Sequence, residues 1–164
     1  MVNGGLVPVM AAKPEHAWLM IRIARRLDEH VESAGTGAVF GDVWCKLNLS
    51  YDRERLRGPD VAYFSNEKLA RRHKGDFFRE PPDLAVEFHS DTNYRKGADF
   101  QQRVRDFVDA GTRLLWVIHP DPKYALVYRA DGSARIVRET DVLDGEDVLP
   151  GFQLDLGELL RRIP

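Results

Sequence analysis

The side chains best able to do chemistry here are a few acids and cations at fixed spacings. Asp60 follows a proline, in Pro59-Asp60, and heads the short apolar run Val61-Ala62-Tyr63-Phe64. Glu87 lies inside Pro81-Pro82-Asp83-Leu84-Ala85-Val86-Glu87-Phe88-His89-Ser90-Asp91, with His89 two residues on. Lys96 and Arg103 follow in the next segment. Carboxylates on two adjacent strands make a hard-oxygen site for Mg2+ or Mn2+. Such an ion polarises a phosphodiester, activates water and steadies a leaving oxygen. A nearby cation orients that water and offsets charge on the phosphoryl group. The five histidines are scattered without zinc-ligand spacing.

The segments around these residues must position them. After Pro82, Leu84, Val86 and Phe88 fall on one face of an extended segment, and Asp83, Ala85, Glu87 and His89 on the other. Same-face neighbours are about 6.5–7 Å apart. Glu87 and His89 can therefore share a small site, whereas Asp83 and Glu87 cannot easily share one ion. The plain alternative is an edge strand with one wet face, Asp83 at its wet start. The next helix runs from an Asp91-Thr92-Asn93 cap to about Ala110, with Phe100, Val104, Phe107 and Val108 inward. A turn of about 100° per residue puts Arg103, and Lys96 if the helix reaches it, at the edge of that face.

Other elements follow from period and punctuation. Residues 1–13 have two glycines and no period, and read as a flexible arm ahead of a single domain over 14–164. Pro14 opens a helix striped by Leu19, Ile23, Leu27 and Val31, and Gly35 ends it. A strand start at Val39-Phe40 and a strand over 43–50 with Cys45 buried come next. Residues 51–58 read as a charged connection. A second Pro-Asp strand covers 59–65, and a short helix starts at Asn66. The apolar run 113–118 reads as a doubly buried strand parallel to that of Glu87. Residues 123–129 and 134–138 form a hairpin through Asp131-Gly132, and a last helix holds Leu156, Leu159 and Leu160. The expected fold is α/β (α+β), a mixed central sheet flanked by helices.

Composition narrows the partners. The 164 residues suit one core, with 43% apolar and 30% charged residues. The formal charge of -2 rules out a bulk electrostatic grip on nucleic acid and leaves a local patch. Lys68, Arg71, Arg72 and Lys74 form the candidate phosphate-contacting segment. A single cysteine excludes an internal disulfide. No apolar run approaches a membrane span and no signal-peptide pattern opens the chain, so a cytoplasmic setting without a membrane partner is expected.

The ordered pieces PDVAYFS at 59–65, PPDLAVEFHS at 81–90, FVDAGTRLLWVIHP at 107–120, YALVYRADG at 124–132 and DVLDGEDVLPGF at 141–152 resemble the PD-(D/E)XK superfamily of metal-dependent nucleases, and within it the Uma-type group of restriction-endonuclease-like proteins. The resemblance implies a restriction-endonuclease-like core with the metal, Mg2+ or Mn2+, held by Asp60, Glu87 and the Phe88 carbonyl. The superfamily lysine belongs where His89 stands. The Uma-type group supplies a lysine from the next helix instead, at the position of Arg103, and arginine cannot give up its proton.

Two functions are expected. The first is a Mg-dependent deoxyribonuclease, an endonuclease with Asp60 and Glu87 on the metal and Lys96, His89 or Arg103 assisting water or phosphate. The alternative is a catalytically impaired nuclease-fold protein acting as a DNA-binding or assembly module. A homodimer through the hairpin of Tyr124, Leu126, Tyr128, Ile136 and Val137 is also expected, because two copies cut two strands most simply.

Overall fold

The computed structural model describes residues 13–89 and 97–161. The N-terminal arm, Lys96 and the expected Asp91–Asn93 cap lie outside the described residues, apart from Lys13 at the end of the arm. Helix α1 (Pro14–Ala34) buries Leu19, Ile23, Leu27 and Val31 and stops at Gly35, whose left-handed φ of 63° closes the last turn. Strand β1 (Gly37–Gly41) follows, then β2 (Cys45–Leu47), β3 (Arg55–Arg57), β4 (Val61–Ser65) and the short helix α2 (Asn66–Ala70). After β5 (Leu84–Phe88) come helix α3 (Gly97–Asp109), β6 (Leu114–His119), β7 (Tyr124–Arg129) and β8 (Ala134–Arg138). The chain closes with β9 (Val142–Asp144), β10 (Gln153–Asp155) and helix α4 (Leu156–Leu160).

Six strands form one mixed sheet in the order β1-β4-β5-β6-β7-β8. β5 and β6 are parallel, as a crossover through α3 requires, and the other pairs are antiparallel. The sheet separates two apolar layers. Leu84, Val86 and Phe88 face α1 and the C-terminal elements, while Ala85 faces the layer of Phe107, Cys45, Leu47 and Phe78. The period-2 faces of β5 are therefore as the sequence implies.

Three expectations need correcting. β5 is not an edge strand with a wet face; it lies inside the sheet with every residue buried. Asp83 is buried too. It accepts the Ser65 N–H at 2.8 Å and pairs with Lys68 at 3.2 Å, and so tolerates the interior. The strand over 43–50 shrinks to β2, which leaves the main sheet and pairs with β3, itself inside the expected connection. Arg55 and Arg57 are more shielded than Leu56, which is exposed. This reverses the usual pattern because the arginines reach a buried acid on α3. Of the five hairpin residues expected to join two copies, Val137 is core and only Ile136 is largely exposed.

Candidate active site

β4 and β5 bring the two carboxylates together. Their register pairs Val61 with Val86 and Ala62 with Ala85. Continued by one residue, it sets Asp60 across from Glu87. Asp60 Oδ2 accepts the Phe88 N–H at 2.7 Å. The N–H and C=O of one extended residue point the same way, so the Phe88 carbonyl lies on the Asp60 side as well. Asp60 Oδ1 meets His16 Nε2 at 3.1 Å. His16 comes from the first turn of α1 and packs edge-on against the Phe88 ring, with centroids 5.3 Å apart.

Arg103 closes the site from α3. Its Nε donates to Glu87 Oε1 at 2.8 Å, and its terminal nitrogen donates to the Gly58 carbonyl. Burial dominates the Glu87 carboxyl. Removed from water, it is pushed up to about 8; Arg103 works against the shift and Asp60 adds to it. The hydrogen bond to Asp60 raises the His16 imidazole above its ordinary value, although burial opposes this.

A second polar cluster braces this floor. Asp106, one turn after Arg103, is fully buried. It accepts from Tyr51 at 2.8 Å, Gln102 at 2.9 Å and Arg57 Nε at 2.8 Å, and Arg55 lies 3.6 Å away. Burial works against the charge, but the bonds from Gln102, Tyr51 and Arg57 outweigh it and hold the carboxyl below its ordinary value. Arg57 precedes Gly58, so the cluster fixes the carbonyl that receives Arg103.

The structure therefore joins Asp60, Glu87, Phe88 and Arg103 as the sequence implies. His89 follows directly on β5 but turns away: its ring lies 4.7 Å from those of both Phe100 and His119, with no hydrogen bond to either carboxylate. Lys96 is outside the described residues. The basic segment is largely committed. Lys68 is bound to Asp83 and the Pro81 carbonyl, Arg71 lies between Glu67 and Glu80, and Arg72 stacks over Phe78. Lys74 is exposed. Cys45 is core, its thiol pushed up to about 12 mainly by burial. Sequence reasoning missed His16. The available signal was its place one turn ahead of Leu19, extending the apolar stripe of α1 with a titratable group.

Comparison with known proteins gives a match over residues 1–157 to the family model described as "Uma2: Putative restriction endonuclease". The chain belongs to the Uma2 family. A solved structure titled as that of "a putative nuclease belonging to DUF820 from Anabaena variabilis" superposes with a TM-score of 0.80 at 15% identity, covering 98% of this chain and 88% of that one. At that identity the likeness is one of fold, and it agrees with a restriction-endonuclease-like mixed sheet flanked by helices. No curated protein matches. Among the described residues, no three His, Cys, Asp or Glu side chains converge as metal ligands, and no helix is long and apolar enough to cross a membrane.

The donor set of the Uma2 site nonetheless suits a hard divalent cation. Asp60 Oδ1, the second oxygen of Glu87 and the Phe88 carbonyl are oxygens grouped at one end of β4 and β5. A site of two carboxylates and a carbonyl, completed by water or phosphate oxygens, is typical of Mg2+ rather than of zinc.

Proposed function

We propose that this protein is a Mg2+- or Mn2+-dependent endonuclease that hydrolyses DNA phosphodiester bonds. The observation that carries the reading is the opposition of Asp60 and Glu87 on β4 and β5, with the Arg103 guanidinium on Glu87. Asp60, Glu87 and the Phe88 carbonyl would hold the cation, which supplies Lewis-acid activation of phosphate and water when bound. The chain's own groups do the rest. The Phe88 N–H and His16 fix the rotamer of Asp60. Arg103 fixes Glu87 and sets a permanent positive charge where phosphate oxygens gain charge. Membership of the family supports DNA as the substrate.

The test pairs activity with binding. The parent should convert supercoiled plasmid to nicked and linear forms in Mg2+ or Mn2+, and Asp60→Asn should not. Mn2+ should raise the Tm of the parent by several degrees, through binding to the folded state alone. In Asp60→Asn this gain should vanish. Asp83→Asn, on a carboxyl bound to Lys68 instead, should leave the Mn2+ gain intact. An equal Mn2+ gain in Asp60→Asn and the parent would place the ion elsewhere and remove the basis of the assignment.

One observation favours the second reading, a DNA-binding protein without turnover. The cation beside Glu87 is an arginine, which cannot accept a proton from water. Salt-sensitive DNA binding with no cutting in any divalent ion would select it. A homodimer across the exposed part of the β7–β8 hairpin would supply two sites for two strands. Light scattering that returns a monomer mass would remove that part.

A further inference from the structure

The β2–β3 hairpin presents side chains that the carboxylate site does not use. Trp44 is 53% exposed and stands just before β2. Its main chain is fixed, because the Trp44 carbonyl accepts the Phe78 N–H at 2.8 Å. The next residue, Cys45, is fully buried, so alternation turns the indole outward. The register of Cys45 with Arg57, continued by one residue, sets Trp44 across from Gly58. A β-carbon at Gly58 would lie 3.7 Å from indole Cδ2. The ring thus rests against the main chain of Gly58, whose carbonyl holds Arg103. Asp60 is two residues further on, a span of at most about 7 Å. The indole therefore rests on the stretch of chain that leads directly into Asp60.

The approach to Trp44 is also a strained one. Asp42 has a φ of 48°, uncommon for a residue other than glycine, and its N–H donates to the Asp60 carbonyl at 3.3 Å. This turn carries the chain from β1 past Asp60 to Trp44. The cations of the hairpin play no part in this: Lys46, on the same outward face as Trp44, is held by Glu54 at 2.8 Å, and Arg53 stands in the loop at the other end. An exposed aromatic face next to a pair of carboxylates proposed to act on phosphodiesters matches a nucleic-acid strand, which offers bases to stack.

We propose that Trp44 is the base-stacking platform of this site: it takes the nucleobase next to the scissile phosphate of a DNA strand and so positions that phosphate at Asp60 and Glu87. This rests on the nuclease-fold reading of the carboxylate site as a DNA site. Stacking on one aromatic side chain accounts for about a tenfold or greater change in affinity per base. It carries no charge, so it leaves the salt dependence of binding alone.

The experiment measures anisotropy of a labelled single-stranded DNA oligonucleotide at low salt with EDTA, for the parent, Trp44→Ala and Trp44→Phe. An oligonucleotide of abasic nucleotides serves as the second probe. Trp44→Ala should bind the normal strand about tenfold more weakly or worse, with an unchanged salt slope, and Trp44→Phe should recover most of the loss. All three should bind the abasic strand alike. If Trp44→Ala binds the normal strand as the parent does, the platform is overturned while the DNA reading stands. If the parent binds no DNA at low salt, both are overturned. If Trp44→Ala is a monomer where the parent is a dimer by light scattering, and the DNA affinities are equal, the ring belongs to a second copy and the platform is again overturned.

Discussion

Glu87→Gln should abolish plasmid cutting in Mg2+, lowering the rate on the order of 10³-fold or more, because several kcal/mol of charge stabilisation depends on the ion it helps to hold. Glutamine keeps the volume and can still accept the Arg103 Nε–H, which is seen at 2.8 Å from the carboxylate. The loss would therefore report on charge rather than on collapse of the site. A second signature appears without metal. Burial raises the Glu87 carboxyl from 4.5 to about 8 in the folded protein. Between those values the folded state keeps a proton that the unfolded state has released. Stability from this group is thus complete below about pH 4.5 and falls as pH rises towards 8. His16, also raised, slopes the same way above its ordinary value of 6.5. Thermal melts across this range in EDTA should show the decline in the parent and a flatter profile in Glu87→Gln. Identical profiles would mean that Glu87 is ionised throughout, with Arg103 outweighing burial.

Asp106→Ala should produce the largest loss of stability among single substitutions near the site. It leaves Arg57, only 12% exposed, without the acid it meets at 2.7 Å, and strips partners from Tyr51 and Gln102. Removing one member of a buried ion pair costs about 3–5 kcal/mol, or a drop in Tm of roughly 10 °C for a domain of this size. Asp106→Asn keeps an acceptor and should lose less. The acidic limb has the opposite sign to that of Glu87. A carboxyl held below its ordinary value contributes stability above pH 3.8 that is lost as pH falls. A melt of Asp106→Ala within 2 °C or so of the parent, on the scale above, would show that the hairpin is held by its apolar contacts alone.

Much of this arrangement was legible in the sequence, and the failures have physical causes. The α1 stripe, the two faces of β5 and the parallel β5–β6 pair follow from period and punctuation, because apolar burial repeats with the backbone geometry; spacing grouped Asp60 and Glu87 with His89, Lys96 and Arg103, and the family resemblance pointed to the place of Arg103. Polarity misled wherever a charge has a distant partner. Asp83 looked wet because Lys68, which neutralises it, is fifteen residues back in the chain. Lys68 and Arg71 looked free for phosphate because Glu80 and Asp83 come later in the chain. The β2–β3 hairpin was half seen because Arg55 and Arg57 point to Asp106 and invert the expected alternation. His16 went unseen because one histidine at a helix start has no period of its own.

The site's connections span very different lengths of chain. Glu87 and Arg103 are 16 residues apart, Asp60 and Phe88 are 28, and His16 and Asp60 are 44. Closing a loop grows costlier only with the logarithm of its length. Going from the shortest of these closures to the longest adds about 0.9 kcal/mol of chain entropy. Distance along the chain is therefore a weak obstacle to assembly, but it orders the events. The strand–helix unit that joins Glu87 to Arg103 can close on local contacts, before β4 delivers Asp60 and α1 brings His16. Half of the polar centre would then exist in a partly folded chain, with a buried acid already matched to its cation. The second carboxylate, the one that makes the pair repulsive, would arrive only when the sheet is in place to hold it.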